Sequence, residues 1–334
     1  MPNQEYLSYL EQKEELVNNL GFSDLPVVHI AFGINNAYAR GMGITVFSVM
    51  ENNPDLAFHI HVFGSPLDEK SKSLLLELAA NRPLAITCNV FKESAFTDLP
   101  LIGRYPQAIY YRLFIPYLLA DVTSKFIYLD ADTLCVGSYK ELHEKDISRY
   151  TLAAVNDTER ARNKLCPHLG LTSGNYFNSG FLYINIPMWI EKKTTERIIQ
   201  TLAIHGTELR FPDQDALNIA LEHEVLLLPK KYNLVCDIIL NKVGKKTPVP
   251  EDAILIHYTG KCKPWHRWGM GELASLYDQY YAKSPWHDVP HDMPVSYKEM
   301  KRYAQALWHE HQYVKSLSWM FKYMNTKIFR KHSS

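Results

Sequence analysis

The chain of 334 residues is too long for one small module and fits one large α/β domain or two domains. Apolar residues make up 46% and charged residues 22%, which allows a large buried core and excludes disorder as a global state. Lys+Arg and Asp+Glu number 36 each, and this zero formal net charge argues against a wholesale nucleic-acid binder. The cysteines, at 88, 135, 166, 236 and 262, are widely spaced and form no CxxC. They speak against a disulfide scaffold or a zinc finger and fit a reducing compartment. Met1–Leu20 is rich in Glu and has no apolar h-region, so it does not read as a signal peptide. Leu165–Ile190, free of Asp, Glu, Lys and Arg, carries His168, several asparagines, glycines and prolines and does not read as a membrane span.

In chain order, residues 1–24 read as an amphipathic helical preface that ends near Gly21. The apolar run Val27–Phe32, bounded by Pro26 and Gly33, reads as a buried strand. A helix over 40–51, a strand over 57–63, a helix over 68–81 and a strand over 84–91 follow. This alternation predicts βαβ units and a mostly parallel sheet. Ala108–Leu119 reads as a helix that Pro116 kinks or ends. Strands are expected at 125–129, 152–155, 181–186, 225–228 and 253–257, and helices at 194–204 and 213–222. After Pro264 the strand signals stop, and Ser296–His332 reads as one helical run without Pro or Gly. From Lys298 onward that run carries eight Lys/Arg against Glu299 and Glu310. The expected organisation is therefore a preface (1–24), an α/β domain (25–270) and a helical, basic and aromatic extension (271–334).

Asp130-Ala131-Asp132 directly follows the strand Phe126–Leu129. Strand residues two apart point to the same side, so both carboxylates project from the C-terminal end of a strand, where ligands bind in open α/β sheets. Such a pair repels itself unless neutralised, and a hard divalent cation neutralises it while bridging to phosphates. The bare pattern is weak, since Asp213-Gln214-Asp215 repeats it; Asp213 there also reads as a helix cap. His257 ends an apolar strand and precedes Gly260, Lys261 and Lys263, a setting suited to a diphosphate. Tyr176–Gly180 reads as a turn, and Arg112, on an apolar helix, needs an acidic partner.

Together these segments resemble the glycosyltransferase 8 family, retaining enzymes that use a nucleotide-sugar donor. The resemblance rests on the strand 27–34 with Asn35 and Tyr38, Tyr-Arg-Leu at 111–113, Leu-Asp-Ala-Asp at 129–132 and Tyr-Phe-Asn-Ser-Gly at 176–180. It continues through Pro-Asp-Gln-Asp-Ala-Leu-Asn at 212–218 and His-Tyr-Thr-Gly-x-x-Lys-Pro-Trp at 257–265. Ser284-Pro285-Trp286 and the basic helix after it look like the C-terminal extension of the lipopolysaccharide core glucosyl- and galactosyltransferases.

The resemblance implies a single Rossmann-like, GT-A type α/β fold with flanking helices and a helical C-terminal extension. It implies Mg²⁺ or Mn²⁺ held by Asp130, Asp132 and His257. Gly33, Asn35 and Tyr38 match the stretch that holds uracil and ribose. Asp130, Ala131, Asn178, Gly260 and Lys263 match further donor contacts. Arg112 and Asp213 match residues on the donor sugar, Gln214 the reacting face, and Asp157 a nearby carboxylate. Many family members carry Asp where Asn35 stands here. The expected partners are a UDP-sugar, a lipopolysaccharide core acceptor of a Gram-negative bacterium and, through the tail, the anionic inner-membrane surface, with a tail helix packed on the catalytic domain and its charges solvated as the alternative. The expected location is cytoplasmic and peripheral. A metal-dependent nucleotide phosphohydrolase and a non-catalytic nucleotide-sugar binder are the alternatives; the first leaves the Phe-Asn-Ser-Gly and Asp-Gln-Asp segments and the aromatic tail unexplained, and the intact metal and phosphate residues argue against the second.

Overall fold

The computed structural model describes residues 6–97, 99, 107–238 and 249–331. The chain divides into two compact units, Met1–Val235 with Asp252–His257, and Cys236–Glu251 with Tyr258–Ser334. In the first unit β1 (Leu10–Asn18) precedes β2 (Val27–Ile34), α1 (Ala39–Glu51), β3 (Ala57–Gly64), α2 (Glu69–Ala79) and β4 (Leu84–Phe91). A 3₁₀ turn over Gln107–Tyr110 leads into α3 (Tyr111–Leu118), then β5 (Lys125–Leu129), β6 (Thr133–Cys135) and α4 (Lys140–His143). The unit continues with β7 (Leu152–Asn156), α5 (Glu159–Leu169), β8 (Phe177–Asn185), α6 (Ile186–Glu191), α7 (Thr194–His205), α8 (Pro212–Ala220) and β9 (Val225–Leu227). Strands β10 (Leu234–Asp237) and β11 (Leu255–Thr259) run across the division between the units.

The main sheet has the order β1-β4-β3-β2-β5-β8-β7-β9. Strands β4, β3, β2 and β5 are parallel, and β8 runs antiparallel to both β5 and β7. Strands β2 to β4 are near-continuous apolar runs because both of their faces are covered; Ile30, Phe32, Phe58, Ile60 and Ile86 are wholly buried. From β2 the chain steps outward through β3 to β4, then returns to add β5 on the other side of β2. That reversal opens a crevice beyond the carboxyl ends of β2 and β5, the place where such sheets bind ligands. Gly33 and Asp130 stand at its two sides. A second sheet has the order β10-β11-β6, with His257 of β11 paired to Thr133 of β6.

Three expectations need correction. The helical preface is instead an edge strand: β1 pairs antiparallel with β4 from Leu10↔Phe91 to Asn18↔Ala85, with two register shifts. Its Glu and Lys residues favour a helix in isolation, but the open edge of β4 supplies backbone partners that outweigh propensity, and charged side chains suit an edge. The Tyr176–Gly180 segment is not a turn, because β8 begins at Phe177 and is buried along its whole length. The long C-terminal helix is two helices, α10 (Tyr297–His309) and α11 (Tyr313–Lys331), which follow α9 (Glu272–Tyr281) in the second unit. The break falls at His311, whose φ of 60° is left-handed. Pro116, for its part, lies inside α3 without ending it.

Candidate functional site

Asp130 follows the last residue of β5, and its backbone N–H donates to the Gly180 carbonyl at 2.9 Å, which holds the turn against β8. His257 Nε2 lies 3.3 Å from Asp132 Oδ1 and 3.7 Å from Asp130 Oδ2. One ligand atom from each of the three residues falls within 4.8 Å of the other two. His257 is buried, and its Nδ1 pairs with Asn233 Oδ1 at 3.2 Å. Asn233 donates its amide to Asn178 Oδ1 at 3.0 Å, which turns its own oxygen toward the imidazole. Nδ1 thus has an amide partner outside the site while Nε2 faces both carboxylates, the arrangement of a ligating histidine. Two carboxylates and one imidazole make a donor set suited to a hard divalent cation, and the residues fit one.

Gly180 is the feature that sequence reading missed. A Cβ there would stand 2.1 Å from His257 Cε1 and 2.8 Å from Asp130 Oδ2, so only glycine lets imidazole and carboxylate meet over β8. The available signal was a glycine inside a strand, which marks a close approach of other groups. Nothing in the local pattern marks Asn233.

Arg112 joins this centre to the next. It is buried, with Nη1 donating to the Ser179 carbonyl at 2.7 Å and Nη2 to Asp130 Oδ1 at 3.0 Å. Its Nε lies 3.3 Å from Asp213 Oδ2, and the guanidinium sits 4.5 Å from the Tyr128 ring centroid. Burial alone would lower its pKa, but Asp130, Tyr128 and Asp213 outweigh burial and raise it, so the cation is permanent. Burial raises the pKa of Asp213, with Arg112 opposing.

Gln214 is held at every polar atom. Its Oε1 accepts from Ser179 N at 2.9 Å and from Asn178 Nδ2 at 3.2 Å. Its Nε2 donates to Tyr176 Oη at 2.9 Å and to Asp157 Oδ2 at 3.1 Å. Tyr176 in turn donates to the fully buried Asp215, whose other oxygen accepts from the backbone of Arg210 and Phe211 at 2.7 and 2.9 Å. Asp215, rather than Asp213, thus secures the start of α8. The segments 112, 130–132, 176–180, 213–215 and 257, distant in sequence, form one connected polar cluster.

The remaining sequence-derived positions sit as follows. Gly33 lies near the end of β2, where a Cβ would come within 3.3 Å of Tyr111 Cβ and Tyr128 Oη. Asn35 caps the 3₁₀ turn Asn36–Tyr38 by accepting from Ala37 N at 3.1 Å, and Tyr38 is exposed. Gly260 and Lys263 belong to the second unit. Gly260 has φ 91° and lies against the Asp237 carboxylate, and Lys263 Nζ donates to the Tyr258 carbonyl at 3.0 Å.

The sequence model of glycosyl transferase family 8 matches residues 29–269, and that of the family's C-terminal region matches residues 273–327. The chain belongs to glycosyl transferase family 8. It is 31% identical to a lipopolysaccharide 1,2-glucosyltransferase of Escherichia coli over 88% of this chain and 90% of that protein. It is 29% identical to a lipopolysaccharide 1,3-galactosyltransferase of Salmonella typhimurium over 92% of this chain and 93% of that protein. Among solved structures, galactosyltransferase LgtC in complex with donor and acceptor sugar analogs shares the fold, with a TM-score of 0.67 and 23% identity over 77% of this chain and 96% of that one.

Proposed function

We propose that the protein is a retaining hexosyltransferase that moves glucose or galactose from a UDP-sugar to the outer core of lipopolysaccharide in a Gram-negative bacterium. The observation that carries this reading is Arg112, whose one guanidinium bridges Asp130 of the metal-ligand group and Asp213 beside Gln214. That bridge couples a place for a diphosphate to a place for a sugar. Residues 25–270 serve as the catalytic domain and 271–334 as its extension.

Asp130, Asp132 and His257 would hold Mg²⁺ or Mn²⁺, which supplies Lewis-acid stabilisation of the charge that develops on the leaving diphosphate. The chain's own residues do the rest. Asn35 spends its amide oxygen on Ala37 N, so its Nδ2 is left to donate to a base carbonyl, which suits uracil. Gly33, with nothing beyond its backbone, lets the nucleoside approach the sheet. Ala131, Asn178, Gly260 and Lys263 complete the donor contacts, Lys263 as a cation for phosphate. Arg112 and Asp213 orient the hexose.

In the reaction the bond from the anomeric carbon to the β-phosphate oxygen breaks, and a bond to the acceptor hydroxyl oxygen forms on the same face. The hydroxyl proton passes to the departing phosphate. Gln214 is a neutral amide with its oxygen already accepting hydrogen bonds, so it serves as a fixed dipole toward the positively charged sugar and not as a nucleophile. Asp157, held by the amides of Asn178 and Gln214, is the carboxylate against which that mechanism is tested.

The tail supports a peripheral place on the cytoplasmic face of the inner membrane. On α11, Val314, Leu317, Phe321, Met324 and Ile328 recur at spacings of three and four and are all exposed, Val314 at 84% and Leu317 at 62%. The helix carries Lys and Arg but no Asp or Glu. A second copy of such a helix would repel it, whereas an anionic lipid surface attracts it. Trp308 and Phe321 are exposed for that role, while Trp319 packs on Tyr303 and Tyr323 on Tyr297.

The test is incubation with UDP-glucose or UDP-galactose, Mn²⁺ and truncated core oligosaccharide, followed by linkage analysis. Acceptor-dependent UDP release is the expected result. Equal release without acceptor means a phosphohydrolase and no release a binding protein, and either overturns the reading.

A further inference from the structure

Strands β2 and β3 carry a second group of convergent side chains, distinct from the aspartate centre. His29 and His59 are directly opposite each other in the parallel register, and His61 is two residues beyond His59, so all three imidazoles stand on one sheet face. His29 Nδ1 and His61 Nε2 are 3.0 Å apart, and the His59 and His61 rings lie 4.0 Å apart by centroid. One ring nitrogen from each of the three falls within 4.8 Å of the others. His59 Nε2 also meets Thr87 Oγ1 of β4 at 2.9 Å.

We propose that His29, His59 and His61 form a binding site for a four-coordinate divalent transition ion of the zinc class, separate from the Asp130–Asp132–His257 centre. Tetrahedral zinc at ~2.0–2.1 Å from each nitrogen needs nitrogens roughly 3.3 Å apart, a spacing the His29–His61 pair already approaches. His59 is half-buried, so its ring can swing the remaining distance. Water fills the fourth position, and the Thr87 hydroxyl orients His59 as outer-shell partners of ligating histidines do.

All-imidazole ligation selects against Mg²⁺ and Ca²⁺ and for Zn²⁺, Co²⁺, Ni²⁺ or Cu²⁺, the reverse of the carboxylate-rich centre. Burial is the main cause that lowers the pKa of each imidazole, followed by His59 at His29 and Lys13 at His59, which favours the neutral form a metal requires. Lys13 also opposes an incoming cation, but it is exposed on β1 and screened by solvent. Four residues separate His29 from Gly33 along β2, about 13 Å of strand, so an ion here does not touch the donor. It would instead clamp β2 to β3.

The full chain, freed of metal by chelator dialysis, is titrated with Co²⁺ and followed by visible absorption. The expected result is two bound equivalents, one of which gives the intense bands of four-coordinate cobalt. His29→Gln and His59→Gln, both at half-buried positions, lose that band and one equivalent while keeping the wild-type circular dichroism and Mg²⁺-supported turnover. Zn²⁺ displaces the band in the wild type. A single equivalent without intense bands, or a band that survives in both variants, overturns the proposal and leaves the trio as a hydrogen-bonded network of neutral imidazoles.

Discussion

At Gly180 one hydrogen atom decides whether the metal ligands can assemble. Gly180→Ala drives a methyl group into the His257 ring and must displace it or β8. By analogy with other changes that disorient ligands, metal affinity should fall about 10–100-fold. Mn²⁺ titration with a thermal melt alongside checks this, and the metal effect should exceed any change in melting temperature. Arg112→Ala leaves Asp130 and Asp213 facing each other with no buried cation between them. Removing one partner of a buried ion pair costs about 3–5 kcal/mol, so stability and activity should fall together in denaturant melts and turnover assays. Gln214→Ala should behave differently. If the amide is only a dipole, the variant keeps slow, retaining turnover, and mass spectrometry finds no glycosyl adduct. Complete loss of turnover, with an adduct on Asp157 or Asp213, would instead mean double displacement.

Among elements, those that alternate in chain order were legible because β2, β3 and β4 are short, mostly apolar runs and their crossover helices have clear stripes. The group Asp130, Asp132 and His257 was legible because the aspartates directly follow an apolar strand and His257 stands within another, β11. Three features were hidden for separate physical reasons. Strand β1 has the composition of a surface helix and is a strand only because β4 would otherwise expose its edge. Strand β8 begins with Phe-Asn-Ser-Gly, turn-like by residue type, yet the Asn178 amide and the Ser179 hydroxyl are satisfied by donating to Gln214 Oε1. The break between α10 and α11 has neither Pro nor Gly; it relies on His311 in a left-handed conformation and on Ser316 Oγ donating to the Ala304 carbonyl at 2.6 Å across the helix pair. For α11, Leu317→Glu with Phe321→Glu should abolish sedimentation with anionic vesicles while leaving turnover on soluble acceptor intact. Unchanged sedimentation would remove the membrane role.

The whole molecule should be acid-labile in a defined window. Burial above all, then His59 at His29 and Lys13 at His59, lowers those two from 6.5 to about 4, and burial with the charges of His59, His29 and Lys13 lowers His61 well below its usual value. The unfolded chain then binds more protons than the folded one between about pH 6.5 and 4, so stability is full above that range and falls as pH drops through it. Thermal melts of the chelator-treated protein at pH 7 and pH 5 should show this loss, and a His29→Gln/His59→Gln double variant should show less of it. The wider architecture follows one plan, in which the parallel sheet reverses its order between β2 and β5 and β11, paired antiparallel with β6, brings His257 to face the aspartates. The claim on which everything else depends is that those three residues hold the cation that grips the donor diphosphate. Calorimetric titration with UDP, with and without Mn²⁺, on the wild type and on Asp132→Asn tests it most directly. Binding that needs Mn²⁺ in the wild type and is lost in Asp132→Asn is the predicted result; equal UDP affinity in all four titrations would contradict it.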